Sequence, residues 1–159
     1  MSNKISFFDL LQHLISPNNQ IRQDAEKYYN QALLSSPDEA IGSLMQVLSD
    51  SNGNFHLRQL AAVLLRRCLI DEEESYFFKL QQQTRNYLIQ ELSRLLQEEV
   101  NTAIRIKVCE IAGDLGGNML EPKDWPSLYP TTVNLCKVSQ ISSDSYQLNF
   151  SFFSYDNSL

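Results

Sequence analysis

One short pattern occurs three times along this chain and constrains its fold more than any other feature. An aliphatic residue is followed by an arginine, two variable positions and a small or β-branched residue, at residues 21–25, 57–61 and 104–108. The arginines, Arg22, Arg58 and Arg105, lie 36 and 47 residues apart. Each copy follows a polar turn and an amphipathic segment. This spacing is close to the period of about 40–47 residues that is typical of helical-hairpin repeats.

The apolar residues between these marks have helical spacing. Phe7, Leu10, Leu11 and Leu14, for example, recur at intervals of three and four, whereas nothing before residue 138 alternates with period two. The sequence therefore predicts an all-α fold, an α-solenoid (superhelix) of HEAT-type antiparallel helix pairs. The predicted pairs are 6–16 with 19–35, 37–50 with 55–71, and 78–99 with 102–117, followed by a first helix at 125–137.

Stacked hairpins bury a continuous core that no single hairpin could bury alone. The first domain, residues 1–137, would hold about three and a half repeats. We expect its apolar helix faces to be buried, at Leu10, Leu14, Ala25, Leu44, Leu48, Ala61, Leu64, Leu92, Leu96, Val108 and Ala112.

The composition changes after Val138. Residues 139–159 contain seven serines and five aromatic residues but no lysine or arginine. Two interpretations stay open: a disordered or lineage-specific end, or a truncated gene product with an unrelated terminus, which the abrupt change favours. Either way, residues 138–159 are expected to be a divergent, disordered tail, and the unpaired helix at 125–137 should leave Trp125, Leu128 and Val133 partly exposed.

The net charge of −6 argues against nucleic-acid binding, which needs a basic face. The longest uninterrupted apolar run, residues 61–65, is far shorter than the roughly 18 residues of a membrane span. We therefore expect protein partners, no nucleic acid and no membrane insertion. Three widely spaced cysteines, Cys68, Cys109 and Cys136, are best interpreted as free thiols of a reducing cytoplasm or nucleus.

The sequence contains no pattern typical of catalysis, so we expect no enzyme, no metal and no cofactor. His13 and His56 are isolated, and no close pair of cysteines could bind zinc. Cys68 and Cys109 fall in apolar helical phase and are interpreted as packing residues. Gly116-Gly117 is interpreted as a helix C-cap, since no phosphate-loop pattern surrounds it.

Several segments resemble the importin-beta (karyopherin-beta) family of nuclear transport receptors. Residues 14–26 (LISPNNQIRQDAE) are similar to the family's opening motif. Residues 58–69 (RQLAAVLLRRCL) and 107–115 (KVCEIAGDL), with Trp125-Pro126, resemble its beta-3-like branch, in order and at suitable distances. The resemblance covers about residues 5–137. It would make this chain an N-terminal fragment that lacks the later repeats where cargo sites largely lie.

The resemblance implies a receptor that binds the small GTPase Ran in its GTP form during protein import, in cytoplasm and nucleus. Cargo proteins and nuclear-pore repeats are further implied partners. In the family, the second helices of the first repeats line the concave surface that receives Ran. Mapped by helical phase, the candidate partner-binding residues are Glu26, Lys27, Gln59, Ala62, Val63, Arg66, Lys107, Glu110 and Asp114.

Some of these signals also have a structural interpretation. Arg22, Arg58 and Arg105 are interpreted as structural repeat positions, hydrogen-bonded within the stack by their guanidinium groups. One of Arg66 and Arg67 must point away from the core, where it is either a partner contact or part of a solvated surface. The acidic run 71–74 is a solvated loop or a docking element for a basic partner. The alternative to Ran binding is a HEAT-repeat scaffold for protein–protein interaction without GTPase binding.

Overall fold

The computed structural model describes residues 6–70 and 75–141, which are mostly helical, with short turns between the helices and no β-strand in that part of the chain. This confirms the all-α prediction. The helices are α1 (Phe7–Leu14), α2 (Asn19–Ser35), α3 (Pro37–Ser49), α4 (Phe55–Ile70), α5 (Gln82–Glu98), α6 (Thr102–Asp114) and α7 (Leu128–Ile141).

The predicted helix ends differ from the observed ones mainly around α5 and α7. Residues Phe77–Lys79 form a separate 3₁₀ turn before α5 begins. Helix α7 begins at Leu128 rather than at residue 125, and it continues to Ile141, past the predicted end at 137. The turn after α6 also differs from the predicted helix C-cap. Gly116-Gly117 do not simply cap α6 but belong to a π-helical turn, Leu115–Met119.

The two helices of each pair pack on each other, and each pair also packs on the next. α1 contacts α2, α3 contacts α4 and α5 contacts α6. Between pairs, α3 contacts α5, α4 contacts α6, and α5 contacts α7. The first helices of the pairs thus adjoin one another, and so do the second helices α4 and α6. This arrangement creates one hydrophobic core that runs from α1 to the turn before α7.

The buried residues agree closely with the expected set. Nine of the eleven are buried, and Leu14 and Leu64 are half-buried against the same core. Trp125 was expected to be partly exposed but is only 3% exposed. Its indole Nε1 donates a hydrogen bond of 2.9 Å to Ser93 Oγ on α5, which satisfies the polar atom of an otherwise apolar side chain. Leu128 and Val133 are half-buried, as the unpaired position of α7 predicts.

The second helix of each pair begins with an asparagine N-cap of the same geometry. Asn18 Oδ1 accepts hydrogen bonds from the backbone N–H groups of the second and third residues after it, and Asn54 and Asn101 repeat that geometry. Each lies four residues before a repeated arginine. An N-cap of this kind satisfies helix N–H groups that have no partner within the helix. The repeated sequence pattern therefore begins at the capping asparagine, four residues before each arginine.

Candidate functional site

A groove runs between the second helices α4 and α6. It has a volume of about 410 Å³ and is lined by Ala62, Val63, Arg66, Arg67, Ile70, Lys107, Glu110 and Asp114. It forms because the facing positions of the two helices recur every three or four residues on a single stripe of each helix. Ala62 is buried at its floor, and the charged side chains stand at its sides.

Ion pairs connect the two sides of this groove. The guanidinium group of Arg66 on α4 lies 2.6 Å (Nη2) and 2.7 Å (Nε) from Oδ2 of Asp114 on α6. Its Nη1 lies 3.5 Å from Oε2 of Glu110. Asp114 is the more buried acid, with 16% of its side chain exposed. Arg66 therefore links α4 to α6, and its charge is already compensated within the molecule.

The two other cations in the groove are not compensated in this way. Within the described residues, neither Arg67 nor Lys107 has a carboxylate at ion-pair distance. Arg67 is exposed and Lys107 is half-buried. Val63 (49% exposed) and Ile70 line the same groove and give it an accessible apolar surface. In the part of the chain that the structure describes, the groove thus combines two cations that have no ion-pair partner with a small apolar patch.

The structure brings together six of the nine candidate partner-binding residues. Ala62, Val63, Arg66, Lys107, Glu110 and Asp114 all line the groove. The other three candidate residues lie outside the groove. Gln59 is half-buried on α4, and Glu26 and Lys27 are exposed on α2, where Lys27 lies 3.9 Å from Asp24 in an ion pair. Helical phase did not single out Ile70, which lines the groove in the last turn of α4.

The three repeated arginines have different environments. Arg58 is 4% exposed, and its Nε donates a 2.9 Å hydrogen bond to the carbonyl of Leu48 at the end of α3. Arg22 is half-buried and makes local bonds, to the Ser16 carbonyl (3.3 Å) and to the Asn19 side chain. Arg105 is exposed, so it does not extend a buried ladder of arginines.

The two described thiols, those of Cys68 and Cys109, are buried and half-buried respectively. Cys68 is buried on α4, with its Sγ 3.1 Å from the hydroxyl oxygen of Tyr29 on α2. Burial raises the pKa of the half-buried Cys109 thiol, so little of it is thiolate at neutral pH. Across the described ranges, no group of three or more His, Cys, Asp or Glu side chains is arranged to hold a metal ion. The side chain of Cys136 lies outside the described residues.

Two predicted segments also lie outside the described residues: the acidic run 71–74, which follows α4, and residues 142–159 of the tail. No helix in the described part of the chain is both long enough and apolar enough to cross a bilayer. No known family model matches the sequence.

Proposed function

We propose that this chain is the N-terminal part of an importin-beta-like nuclear transport receptor, built as a HEAT-type solenoid. Its function is to bind Ran in the GTP form through the groove between α4 and α6 and to take part in protein import between cytoplasm and nucleus. In this proposal the chain acts by binding partners and catalyses no reaction, and it uses no cofactor or metal. Cargo proteins and nuclear-pore repeats are further partners of the same proposal.

The order of helix contacts supports the solenoid. In a solenoid each hairpin contacts only its neighbours, so first helices adjoin first helices and second helices adjoin second helices. The contacts α3–α5, α5–α7 and α4–α6 follow that order, whereas the first pair meets the second mainly through α2–α3 and α1–α4. The three asparagine N-caps add a feature that recurs with the repeat, at Asn18, Asn54 and Asn101.

The single observation that carries the binding site is the convergence of residues from two repeats on one groove. Residues of α4 and α6 that are far apart in sequence, such as Val63 and Lys107, lie on one accessible surface. Because exposed apolar and charged side chains occur together there, the surface suits a protein rather than a small apolar ligand.

A preference for one nucleotide state follows from the chemistry of small GTPases. Their switch segments are ordered by the γ-phosphate and are released on hydrolysis, so a surface complementary to the GTP form binds the GDP form less tightly. In a whole receptor, Ran and cargo would bind with unfavourable coupling, and by linkage each would weaken the other.

Isothermal titration of the whole 159-residue chain with Ran tests the proposal. Ran loaded with a non-hydrolysable GTP analogue should bind, and Ran loaded with GDP should bind at least about tenfold more weakly. The charge reversal Lys107→Glu should weaken binding, whereas Lys123→Glu, on an exposed turn outside the groove, should leave it unchanged. Equal binding of the two forms, or no binding by a folded chain, would favour the scaffold alternative.

A further inference from the structure

Among the described residues, the groove between α4 and α6 is lined by more positive than negative charge, in a chain that is negative overall. Three described cations, Arg66, Arg67 and Lys107, face two described carboxylates, Glu110 and Asp114, while the net charge of the chain is −6. The net charge of the groove therefore differs from that of the chain, because it depends only on the side chains that α4 and α6 place there.

Arg66 is the cation least available to a partner. It bonds to Asp114 through two nitrogens, at 2.6 and 2.7 Å, and approaches Glu110 at 3.5 Å. A partner that used Arg66 would have to break these ion pairs and would leave Asp114, which is mostly buried, without its cation. An uncompensated buried carboxylate is unfavourable, so Arg66 is better placed to hold α4 beside α6 than to contact a partner.

Arg67 and Lys107 are in the opposite situation. Any partner that fills the groove removes water from both cations, and within the described residues neither has a carboxylate to compensate the loss. Desolvating an unpaired cation is costly, so a neutral or basic partner segment would be rejected there. A carboxylate from the partner would restore the lost hydration energy with charge-assisted hydrogen bonds.

We infer that the groove recognises an acidic segment of a partner protein, with carboxylates at Arg67 and Lys107 and an apolar side chain between them on Val63 and Ile70. Arg66 is a positioning residue that sets the separation of the two helices. This inference deepens the proposed function by naming the chemistry of the bound segment. It rests on the groove being the binding surface, and it does not require the partner to be Ran.

Fluorescence anisotropy with the whole chain tests the inference directly. The probe is a labelled peptide with two glutamates on each side of a leucine, and the control peptide carries glutamines in their place. The acidic peptide should bind, and the glutamine peptide should bind at least about tenfold more weakly. Arg67→Gln and Lys107→Gln should each weaken binding of the acidic peptide by about tenfold, because each removes one charge-assisted contact.

The matched controls are Arg105→Gln, an exposed arginine of α6 outside the groove, and Lys123→Gln. Both should bind the acidic peptide as the unchanged chain does. No binding of the acidic peptide, or equal effects of the groove and control substitutions, would overturn the inference. A chain that binds the acidic peptide through Arg67 and Lys107 but does not bind Ran would retain the inference and reject Ran as the partner.

Discussion

Arg58 on α4 and Glu99 at the end of α5 form a buried ion pair, with side chains only 5% and 3% exposed. Arg58 also donates to the Leu48 carbonyl at 2.9 Å, and Glu99 Oε1 accepts from the backbone N–H of Asn101 at 2.8 Å. Four helix ends therefore meet at one pair of charges: the C-terminal ends of α3 and α5 and the N-terminal ends of α4 and α6. The pair joins the second hairpin to the third.

Removing the cation should destabilise the chain strongly. Arg58→Ala leaves the Glu99 carboxylate buried and without its partner, and breaking a buried pair in this way costs about 3–5 kcal/mol. Arg105→Ala, at the equivalent repeat position but exposed, should change the free energy of unfolding by less than about 0.5 kcal/mol. Urea denaturation followed by circular dichroism measures both. Similar losses in the free energy of unfolding for the two variants would show that the buried ion pair does not stabilise the chain more than an exposed arginine does.

The same pair should make stability depend on pH. Burial tends to raise the pKa of Glu99, but the hydrogen bonds from Arg58 and from the Asn101 N–H outweigh it and hold the pKa below its usual value. A carboxyl whose pKa is lowered by folding stabilises the native state above its unfolded-state pKa. That contribution is lost as the pH falls through the lower, folded-state pKa.

Thermal unfolding of the chain between about pH 7 and about pH 3 measures this dependence. Stability should fall towards acid pH, and Glu99→Gln should be less stable at neutral pH with a shallower fall. The sensitivity comes from a titrating side chain that the variant lacks. Parallel curves for the two proteins would mean that Glu99 does not contribute to the pH dependence.

The recurring asparagine caps should contribute individually. Asn54→Ala removes the acceptor for the N–H groups of His56 and Leu57 at 2.9 and 3.2 Å, and the loss of such a cap costs about 1 kcal/mol. Asn52→Ala, in the exposed turn just before the cap, is the matched control and should cost less than about 0.5 kcal/mol. Chemical denaturation of both variants tests the claim, and equal effects would argue against a capping role.

Helical phase predicted the helices and most of the core, and together with the family resemblance it selected six residues that line the groove. Leu44, Leu92 and Val108 were expected to be buried because apolar spacing of three and four assigns one face of each helix to the core. Helical phase determines which stripe of a helix faces a neighbouring helix. Where two helices lie side by side, that information is sufficient to predict which residues of each helix lie on the contact face.

Phase could not predict contacts that depend on a distant partner. The buried Trp125 donates its hydrogen bond to Ser93, which is remote in sequence. Arg58 and Arg105 occupy the same repeat position, yet Arg58 is buried against Glu99, whereas Arg105 is exposed and forms no ion pair within the described residues. The pairing of Arg66 with Asp114 was likewise hidden, since it depends on how α4 and α6 align along their lengths.

The ion pairs of Arg66 change what its reversal should do. Arg66→Glu would place a third carboxylate beside Glu110 and Asp114, so it should lower stability as well as alter the groove. From helical phase alone, the same change would be expected to weaken partner binding with little effect on stability. A second change, Asp114→Arg, should restore part of the loss by exchanging the two charges.

A double-mutant cycle in urea measures the coupling between positions 66 and 114. We expect a coupling energy of about 0.5–1 kcal/mol, because Arg66 is half exposed and solvent screens the pair. The coupling should decrease at high salt. A value indistinguishable from zero would mean that the ion pair does not hold the two helices together.

NMR spectroscopy of the whole chain tests whether the surface between α4 and α6 receives the partner. Backbone amide signals are followed while Ran loaded with a non-hydrolysable GTP analogue is added to the isotope-labelled, 18.3 kDa protein. We expect the signals of Val63, Ile70 and Lys107 to change, while those of α1 and of the exposed turn at Lys123 remain in place. Changes confined to α1, or none at all on a folded chain, would contradict this expectation.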